Sequence, residues 1–115
     1  MKRKKFGKWG EDLAARFLEK HGFTVVESNY YCQEGEIDIV AVKDKEWWFI
    51  EVKTRHAGAS VGAEEAVDGE KQEKMEQTAL DYLSKKGIEP ESWQLGLVSV
   101  KVVGRESVRV RFLVV

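Results

Sequence analysis

Cysteine and long apolar runs are scarce in this sequence, and its net charge is close to zero. The single cysteine, Cys32, excludes an intrachain disulfide and leaves no cysteine-based metal site, which fits a reducing cytoplasm. No apolar run approaches the roughly 20 residues that span a membrane, and no apolar segment follows the basic start as in a signal peptide. A net charge of -1 gives no overall basicity of the kind that indicates a nucleic-acid ligand. We therefore predict a cytoplasmic protein with no membrane association.

The charges that are present are spread unevenly over 115 residues, a length typical of one domain (residues 1–115). Basic residues crowd both ends of the chain, with Lys2, Arg3, Lys4, Lys5 and Lys8 at the start and Lys101, Arg105, Arg109 and Arg111 near the end. Such clusters permit local phosphate binding, but a solvated surface explains them almost as well. Arg109 and Arg111 alternate with apolar residues, so they can meet phosphates or protect an exposed sheet edge, and the second interpretation is slightly favoured.

Hydrophobic periodicity predicts two helices and five strands. The helices cover residues 6–21 and 69–86, the second capped by Asp68 and ended by Gly87. The predicted strands are 23–27, both arms of a hairpin over 35–55 that turns at Asp44 and Lys45, 93–103 and 107–115, with loops at 28–35 and 56–62. The order αβββαββ indicates an α/β fold with a mixed sheet flanked by helices. The tight hairpin excludes an all-parallel doubly wound sheet.

The hairpin over residues 35–55 carries charges on strand faces that are otherwise apolar. Period-2 alternation sets Ile37, Ile39 and Ala41 against Glu36, Asp38, Val40 and Val42 on the first arm, and Trp48, Ile50 and Val52 against Trp47, Phe49, Glu51 and Lys53 on the second. Asp38, Glu51 and Lys53 therefore lie among Val, Trp and Phe side chains. A charge in such surroundings is costly unless it is paired or binds a metal.

Asp38, Glu51 and Lys53 form an acid–acid–amine set whose chemistry suits phosphodiester hydrolysis. Two neighbouring carboxylates repel each other unless a cation neutralises them, and Mg²⁺ is a hard cation that carboxylates and phosphates bind. Lys53, on the face of Glu51, would orient the nucleophile and offset charge on the phosphate. A structural salt bridge of Lys53 with Glu51 or Asp38 would produce the same pattern, so both interpretations stay open.

Two further charged residues are directed towards the sheet by helical geometry. At about 100° per residue, Glu11 lies at the edge of the apolar stripe of the first helix, whereas Asp12 points away from it. Lys71 lies on the apolar face of the second helix, in its first turn, and Lys74 points the other way. An exposed carboxylate at Glu11 and a lysine at 71 that merely covers the core edge remain the alternatives.

Several motifs together identify a family resemblance over residues 7–83. G-E-I-D-I-V (35–40) and F-I-E-V-K-T-R (49–55) follow a first helix that contains W-G-E-D-L-A-A-R-F-L (9–18). E-S-N-Y-Y-C (27–32), E-E-A-V-D-G-E-K (64–71) and A-L-D-Y-L (79–83) extend the pattern. The sequence resembles the YraN-type family of bacterial proteins, which is similar to the restriction-endonuclease-like PD-(D/E)xK superfamily and to archaeal Holliday junction resolvases.

The resemblance implies roles for particular residues of a nuclease site. Asp38 matches the motif aspartate, Glu51 and Lys53 match the (D/E)xK pair, and Glu11 matches the glutamate of the first helix. The resemblance further implies Mg²⁺, with Mn²⁺ as a substitute, as the cofactor, and Asp38, Glu51, Glu11 and the backbone carbonyl of Val52 as its ligands. Arg55 and Lys71 occupy positions suited to supporting basic residues. Ile37 stands where the PD motif has proline.

The function that the resemblance implies is metal-dependent endonucleolytic cleavage of DNA, with branched or damaged DNA as the candidate substrate. A resolvase acts on a two-fold symmetric junction, so a homodimer is also expected. The alternative from another class is a non-catalytic module that retains the nuclease fold and binds nucleic acid or another protein. A small α/β domain with structural ion pairs is the third interpretation.

Overall fold

The computed structural model describes residues 2–58 and 67–115, which contain two helices and a five-stranded sheet. In chain order the elements are α1 (Arg3–Lys20), β1 (Thr24–Cys32), β2 (Gly35–Lys43), β3 (Glu46–His56), α2 (Gly69–Lys86), β4 (Trp93–Val103) and β5 (Ser107–Val114). The strands are arranged in the order β1-β2-β3-β4-β5, with β3 and β4 parallel and all other neighbours antiparallel. The predicted α/β class, mixed sheet and element order are confirmed.

Local signals explain why the central elements form where they do. Asp44 and Lys45 have φ angles of 51° and 68°, the left-handed conformation that a two-residue hairpin turn requires. At the start of α2, the side chain of Asp68 accepts a hydrogen bond of 2.8 Å from the backbone N–H of Lys71. Gly87 ends the helix in the left-handed conformation, with φ 66°. Helix α2 also supplies the crossover that parallel pairing of β3 with β4 requires.

Each helix covers one face of the sheet. Helix α1 buries an apolar cluster made of Ala14, Leu18, Phe23, Ile39, Ala41, Ile50, Val98 and Val100. Helix α2 buries the cluster on the opposite face, made of Ile37, Val40, Phe49, Met75, Ala79, Tyr82, Leu83 and Leu95. Burial of these side chains is the main favourable contribution to folding. Within the described ranges, neither helix is long and apolar enough to cross a membrane.

The extent of β1 is the largest difference from the predicted elements. The sequence predicts a strand over residues 23–27 followed by a loop over 28–35, whereas β1 continues to Cys32. Ser28 pairs with Ile39 and Tyr30 with Ile37, so antiparallel pairing with β2 continues the strand through Ser28 and Asn29, where the apolar pattern is interrupted. The loop predicted over 56–62 is also shifted, because β3 includes residue 56 and a turn covers 57–58; residues 59–62 lie outside the described ranges.

The faces of β2 switch in the middle of the strand, which corrects a second prediction. The sequence pattern places Ile37 on the same face as Ile39 and Ala41, but Ile37 belongs to the cluster under α2 and the other two to the cluster under α1. The register of β1 with β2 shifts between Val25 and Glu27. Asn29 of β1, which has a left-handed φ of 56°, lies opposite the candidate site residue Asp38, between the pairs Ser28–Ile39 and Tyr30–Ile37.

Candidate metal centre

The candidate centre lies where β2 and β3 cease to pair. Their ladder runs from the turn to the pair Ile39 and Ile50 and does not continue to Asp38. Oδ2 of Asp38 instead accepts a hydrogen bond of 2.7 Å from the backbone N–H of Val52. Because the N–H and C=O groups of a strand residue point to the same side, the carbonyl of Val52 faces the same gap between the strands. A carboxylate and a backbone carbonyl are thereby brought to one place.

Side chains of β3 alternate between the two helices as the sequence predicts. Ile50 and Val52 pack in the cluster under α1, whereas Phe49 packs in the cluster under α2. Glu51 faces α2 and forms an ion pair with it. Strand periodicity predicts Lys53 on the same face as Glu51.

Lys71 is the cation that α2 directs at Glu51. Its Nζ lies 2.8 Å from Oε1 of Glu51, and the two side chains are 36% and 16% exposed. The cap at Asp68 fixes the first turn of the helix, and with it the position of Lys71. Burial lowers the pKa of Lys71, but the hydrogen bond and charge of Glu51 outweigh it, so the pKa is raised. The predicted inward direction of Lys71 is confirmed, and Lys74 instead makes an exposed pair with Glu70.

The second carboxylate oxygen of Glu51 has no such partner. Oε2 is buried and accepts no hydrogen bond from any residue in the ranges 2–58 and 67–115. A buried carboxylate oxygen without a donor carries a substantial desolvation cost, and it is a free coordination position for a hard cation. Within the described ranges, one oxygen of Glu51 is therefore paired with Lys71 and the other accepts no hydrogen bond.

Asp38 has a strongly raised proton affinity. Burial raises its pKa from 3.8 to about 7, against the opposing effect of the hydrogen bond from Val52. The negative charges of Glu11, Glu51 and Glu36 raise the pKa further. Glu11 is half-buried on α1, so it is not the fully exposed carboxylate of the alternative interpretation. The fold thus gathers several carboxylates around Asp38, an arrangement that a divalent cation would stabilise.

These residues fit a hard divalent cation in part. Asp38, the open oxygen of Glu51 and the carbonyl of Val52 supply oxygen donors of the type that Mg²⁺ and Mn²⁺ bind. The carboxylates of Glu11, Asp38 and Glu51 do not converge as a set of three within 4.8 Å. Glu11 therefore acts on Asp38 through its charge in this structure, and direct coordination by Glu11 stays a prediction.

A different side-chain cluster does converge within that distance. Among the described residues, Cys32, Glu34 and Asp81 form the only set of three Cys, His, Asp or Glu ligand atoms within 4.8 Å of one another. The sequence did not predict that Glu34 and Asp81 lie beside Cys32. Asp81 already accepts a hydrogen bond of 2.5 Å from Tyr30 and pairs with Lys85 at 3.1 Å. Its carboxylate is thus satisfied by protein groups.

A cavity of about 560 Å³ lies at the turn of the hairpin, away from the carboxylates. Its apolar lining comes from Phe17, Phe23, Trp48 and Phe112. The predicted site residues do not line this cavity, which lies at the opposite end of the β2–β3 ladder from Asp38.

The sequence predicts the members of the site better than their contacts. Glu51 and Lys71 form an ion pair, and Glu51 and Glu11 are near enough to Asp38 for their charges to raise its pKa. The contact between Asp38 and Val52 was not predicted, nor was Lys71 as the ion-pair partner of Glu51. The N-cap at Asp68 and the helical projection of Lys71 are the sequence signals that could have indicated the ion pair of Lys71 with Glu51. No local sequence signal indicates the contact of Asp38 with Val52.

Comparisons with known proteins give one consistent family. The model of "Uncharacterised protein family UPF0102" matches residues 10–115. A UPF0102 protein from Moorella thermoacetica is 38% identical over 108 residues, which are 94% of this chain and 90% of that protein. One from Clostridium perfringens strain SM101 is 45% identical over 80 residues, 70% of this chain and 66% of that protein, just under two thirds of its length. The resemblance to the YraN-type family is confirmed. This chain belongs to the uncharacterised protein family UPF0102.

Proposed function

We propose that this protein is a divalent-metal-dependent endonuclease that hydrolyses phosphodiester bonds in DNA. The observation that carries the proposal is the buried, unpartnered Oε2 of Glu51 in the neighbourhood of Asp38, whose pKa is raised to about 7. Folding tolerates such a destabilising arrangement of carboxylates most readily where a function requires it. The resemblance to the PD-(D/E)xK superfamily assigns Asp38 and Glu51 to the same role.

Asp38, Glu51 and the carbonyl of Val52 would hold the cation, with Glu11 contributing negative charge nearby. When bound, a divalent cation there supplies positive charge that lowers the pKa of a water molecule and stabilises charge on the phosphate. Lys53 follows Glu51 by two residues on the same strand face, roughly 6.5 Å along the strand. From there its ammonium group would bind a phosphate oxygen and offset the negative charge that develops during cleavage.

Lys71 supports the site when the cation is absent. Its ion pair with Oε1 offsets the negative charge of Glu51 and fixes the direction of the carboxylate. Lys71 is therefore a positioning residue in this proposal.

Branched DNA is the substrate that the resemblance to Holliday junction resolvases favours. Cleavage of a two-fold symmetric junction on opposed strands needs two sites, so the proposal includes a homodimer. Action on DNA also implies a cytoplasmic location. Sedimentation of the purified protein, with and without a four-way junction, measures whether two chains act together.

The decisive experiment incubates the protein with linear, nicked, flapped and four-way-junction DNA in Mg²⁺ or Mn²⁺. Asp38→Asn and Lys53→Ala test the site, and Asp12→Asn, an exposed carboxylate on the same helix as Glu11, is the matched control. We expect cleavage by the wild type and the control, and loss of about a hundredfold or more in the two site variants. Equal cleavage by all four proteins would refute the assignment. Tight DNA binding without cleavage would favour the non-catalytic module.

A further inference from the structure

A block of basic residues extends across the sheet from the candidate site to the edge strand β5. The register aligns Lys53 of β3 with Ser99 of β4, and Ser99 with Arg111 of β5. The next row aligns Arg55 with Lys101, and Lys101 with Arg109. Of these six residues, five are basic and one is serine. Lys53, Arg55, Lys101, Arg109 and Arg111 are referred to below as the basic sheet surface.

The two rows lie on one face of the sheet, the face of Glu51. On β4, Val98 and Val100 pack in the cluster under α1 while Leu95 packs in the cluster under α2, so odd-numbered residues of this strand face the α2 side. On β5, Val110 and Phe112 pack on the α1 side. Arg109 and Arg111 must then point to the α2 side. The basic sheet surface and Glu51 therefore share a face.

Protection of an exposed edge does not account for this surface. β5 is an edge strand, and charged residues on edge strands prevent pairing with other chains. Lys101, however, is on β4, which pairs with β3 on one side and with β5 on the other, and Lys53 and Arg55 lie on β3 beyond its last pair with β2, next to the candidate site. Protection of the β5 edge therefore does not account for the whole of the basic sheet surface.

We propose that the basic sheet surface binds the phosphodiester backbone of the DNA strand that enters the carboxylate site, an inference that rests on the proposed function. Same-face residues along one strand are roughly 6.5 Å apart and neighbouring strands about 4.8 Å, so the surface presents a grid of cations on the scale of successive phosphates. Exposed Arg109 and Arg111 offer guanidinium groups, which bind phosphate oxygens in pairs.

If the basic sheet surface binds phosphates, the affinity for DNA should fall as the salt concentration rises. Each phosphate neutralised on a duplex changes the slope of log K against log salt by about 0.9. Removal of Arg109 and Arg111 should reduce the magnitude of the slope by about two, with little dependence on base sequence. It should also weaken binding about ten- to thirtyfold near 0.1 M salt.

The test measures fluorescence anisotropy of a labelled duplex and a labelled four-way junction in EDTA, where no cleavage interferes, across a series of salt concentrations. The double variant Arg109→Gln with Arg111→Gln is compared with Arg16→Gln with Lys20→Gln, which removes two exposed cations from α1 on the opposite side of the sheet. The control should keep the wild-type slope. Mn²⁺ titration of both double variants should be unchanged, which shows that the carboxylate site is intact.

Three outcomes separate the surface from the catalytic proposal. Equal slopes of log K against log salt in the two double variants, or no binding of DNA by the wild type, would refute DNA binding by the basic sheet surface, whatever the result of the cleavage assay. A reduced slope without cleavage in any metal would support the surface and refute the nuclease. Aggregation of the Arg109/Arg111 variant with unchanged DNA binding would identify these arginines as edge protection and overturn the proposal.

Discussion

Replacing Asp38 with asparagine removes a carboxyl group whose pKa is about 7 in the folded protein. In the unfolded chain this carboxyl titrates near its ordinary value of 3.8. Between these two values the folded state keeps a proton that the unfolded state has released. The contribution of Asp38 to stability is thus fully present below the unfolded pKa and is lost as pH rises through the folded pKa. Asparagine has no proton to lose, and its side-chain oxygen can still accept the hydrogen bond from Val52.

The expected size of the effect follows from the two pKa values. For each pH unit between the two pKa values, the unfolding free energy of the wild type falls by about 1.4 kcal/mol, or by about 4 kcal/mol over the whole interval. Because the carboxyl is half-buried and retains some contact with solvent, we expect about 2–3 kcal/mol. The metal-free variant should therefore match the wild type near pH 4 and exceed its unfolding free energy by this amount at about pH 8.

Urea unfolding in EDTA at a series of pH values between about 4 and 8 measures this difference directly. Asp12→Asn is the matched control, since it removes one exposed carboxylate of α1 that pairs with Lys8. Its difference from wild type should change by less than about 0.5 kcal/mol over the same range. A free-energy difference between Asp38→Asn and wild type that does not change with pH would refute the electrostatic account of the site.

Other substitutions test the ion pair and the packing of α1. Lys71→Ala leaves the largely buried Glu51 without its cation and should lower the unfolding free energy of the metal-free protein by about 1–3 kcal/mol, whereas Lys74→Ala, from an exposed pair, should cost less than about 0.5 kcal/mol. If urea unfolding shows the same loss of stability for Lys71→Ala and Lys74→Ala, the ion pair with Glu51 contributes no more than an exposed ion pair. In Gly10→Ala, the added Cβ would overlap the side chain of Thr54 on β3, so we expect the unfolding free energy to fall by about 1–3 kcal/mol. Gly7→Ala has open space around it and should stabilise by about 0.5–1 kcal/mol through helix propensity; thermal unfolding that ranks the two in the opposite order would contradict the packing of α1 on the sheet.

The elements that could be predicted from the sequence are those with strong local signals. The turn at Asp44 and Lys45, the cap at Asp68 and the end at Gly87 fix their elements through backbone conformation alone, and all are confirmed. β1 could not be predicted in full, because Ser28 and Asn29 interrupt the apolar pattern and read as a loop, whereas pairing with β2 continues the strand through them. The part of β1 after residue 27 is a strand because of its partner β2, and its own residues carry no alternating apolar pattern.

In the candidate site, too, features set within one element could be predicted from the sequence, and features set by the assembled sheet could not. Periodicity places Glu51 and Lys53 on one face and directs Glu11 and Lys71 inward, because those statements need only the geometry of one element. The contact that defines the centre, from Asp38 to the backbone of Val52, depends on the separation of β2 from β3 beyond Ile39. This separation is a property of the assembled sheet. The same holds for the basic sheet surface, which exists only through the register of three strands.

Calorimetric titration of Mn²⁺ into the metal-free protein at about pH 8, where Asp38 is ionised, tests the central claim most directly. The account predicts one bound ion per chain and binding weakened at least about tenfold in both Asp38→Asn and Glu51→Gln. Asp81→Asn, in the cluster with Cys32, should bind like the wild type. Unchanged binding in the Asp38 and Glu51 variants, or binding lost only in Asp81→Asn, would contradict a metal centre between β2 and β3.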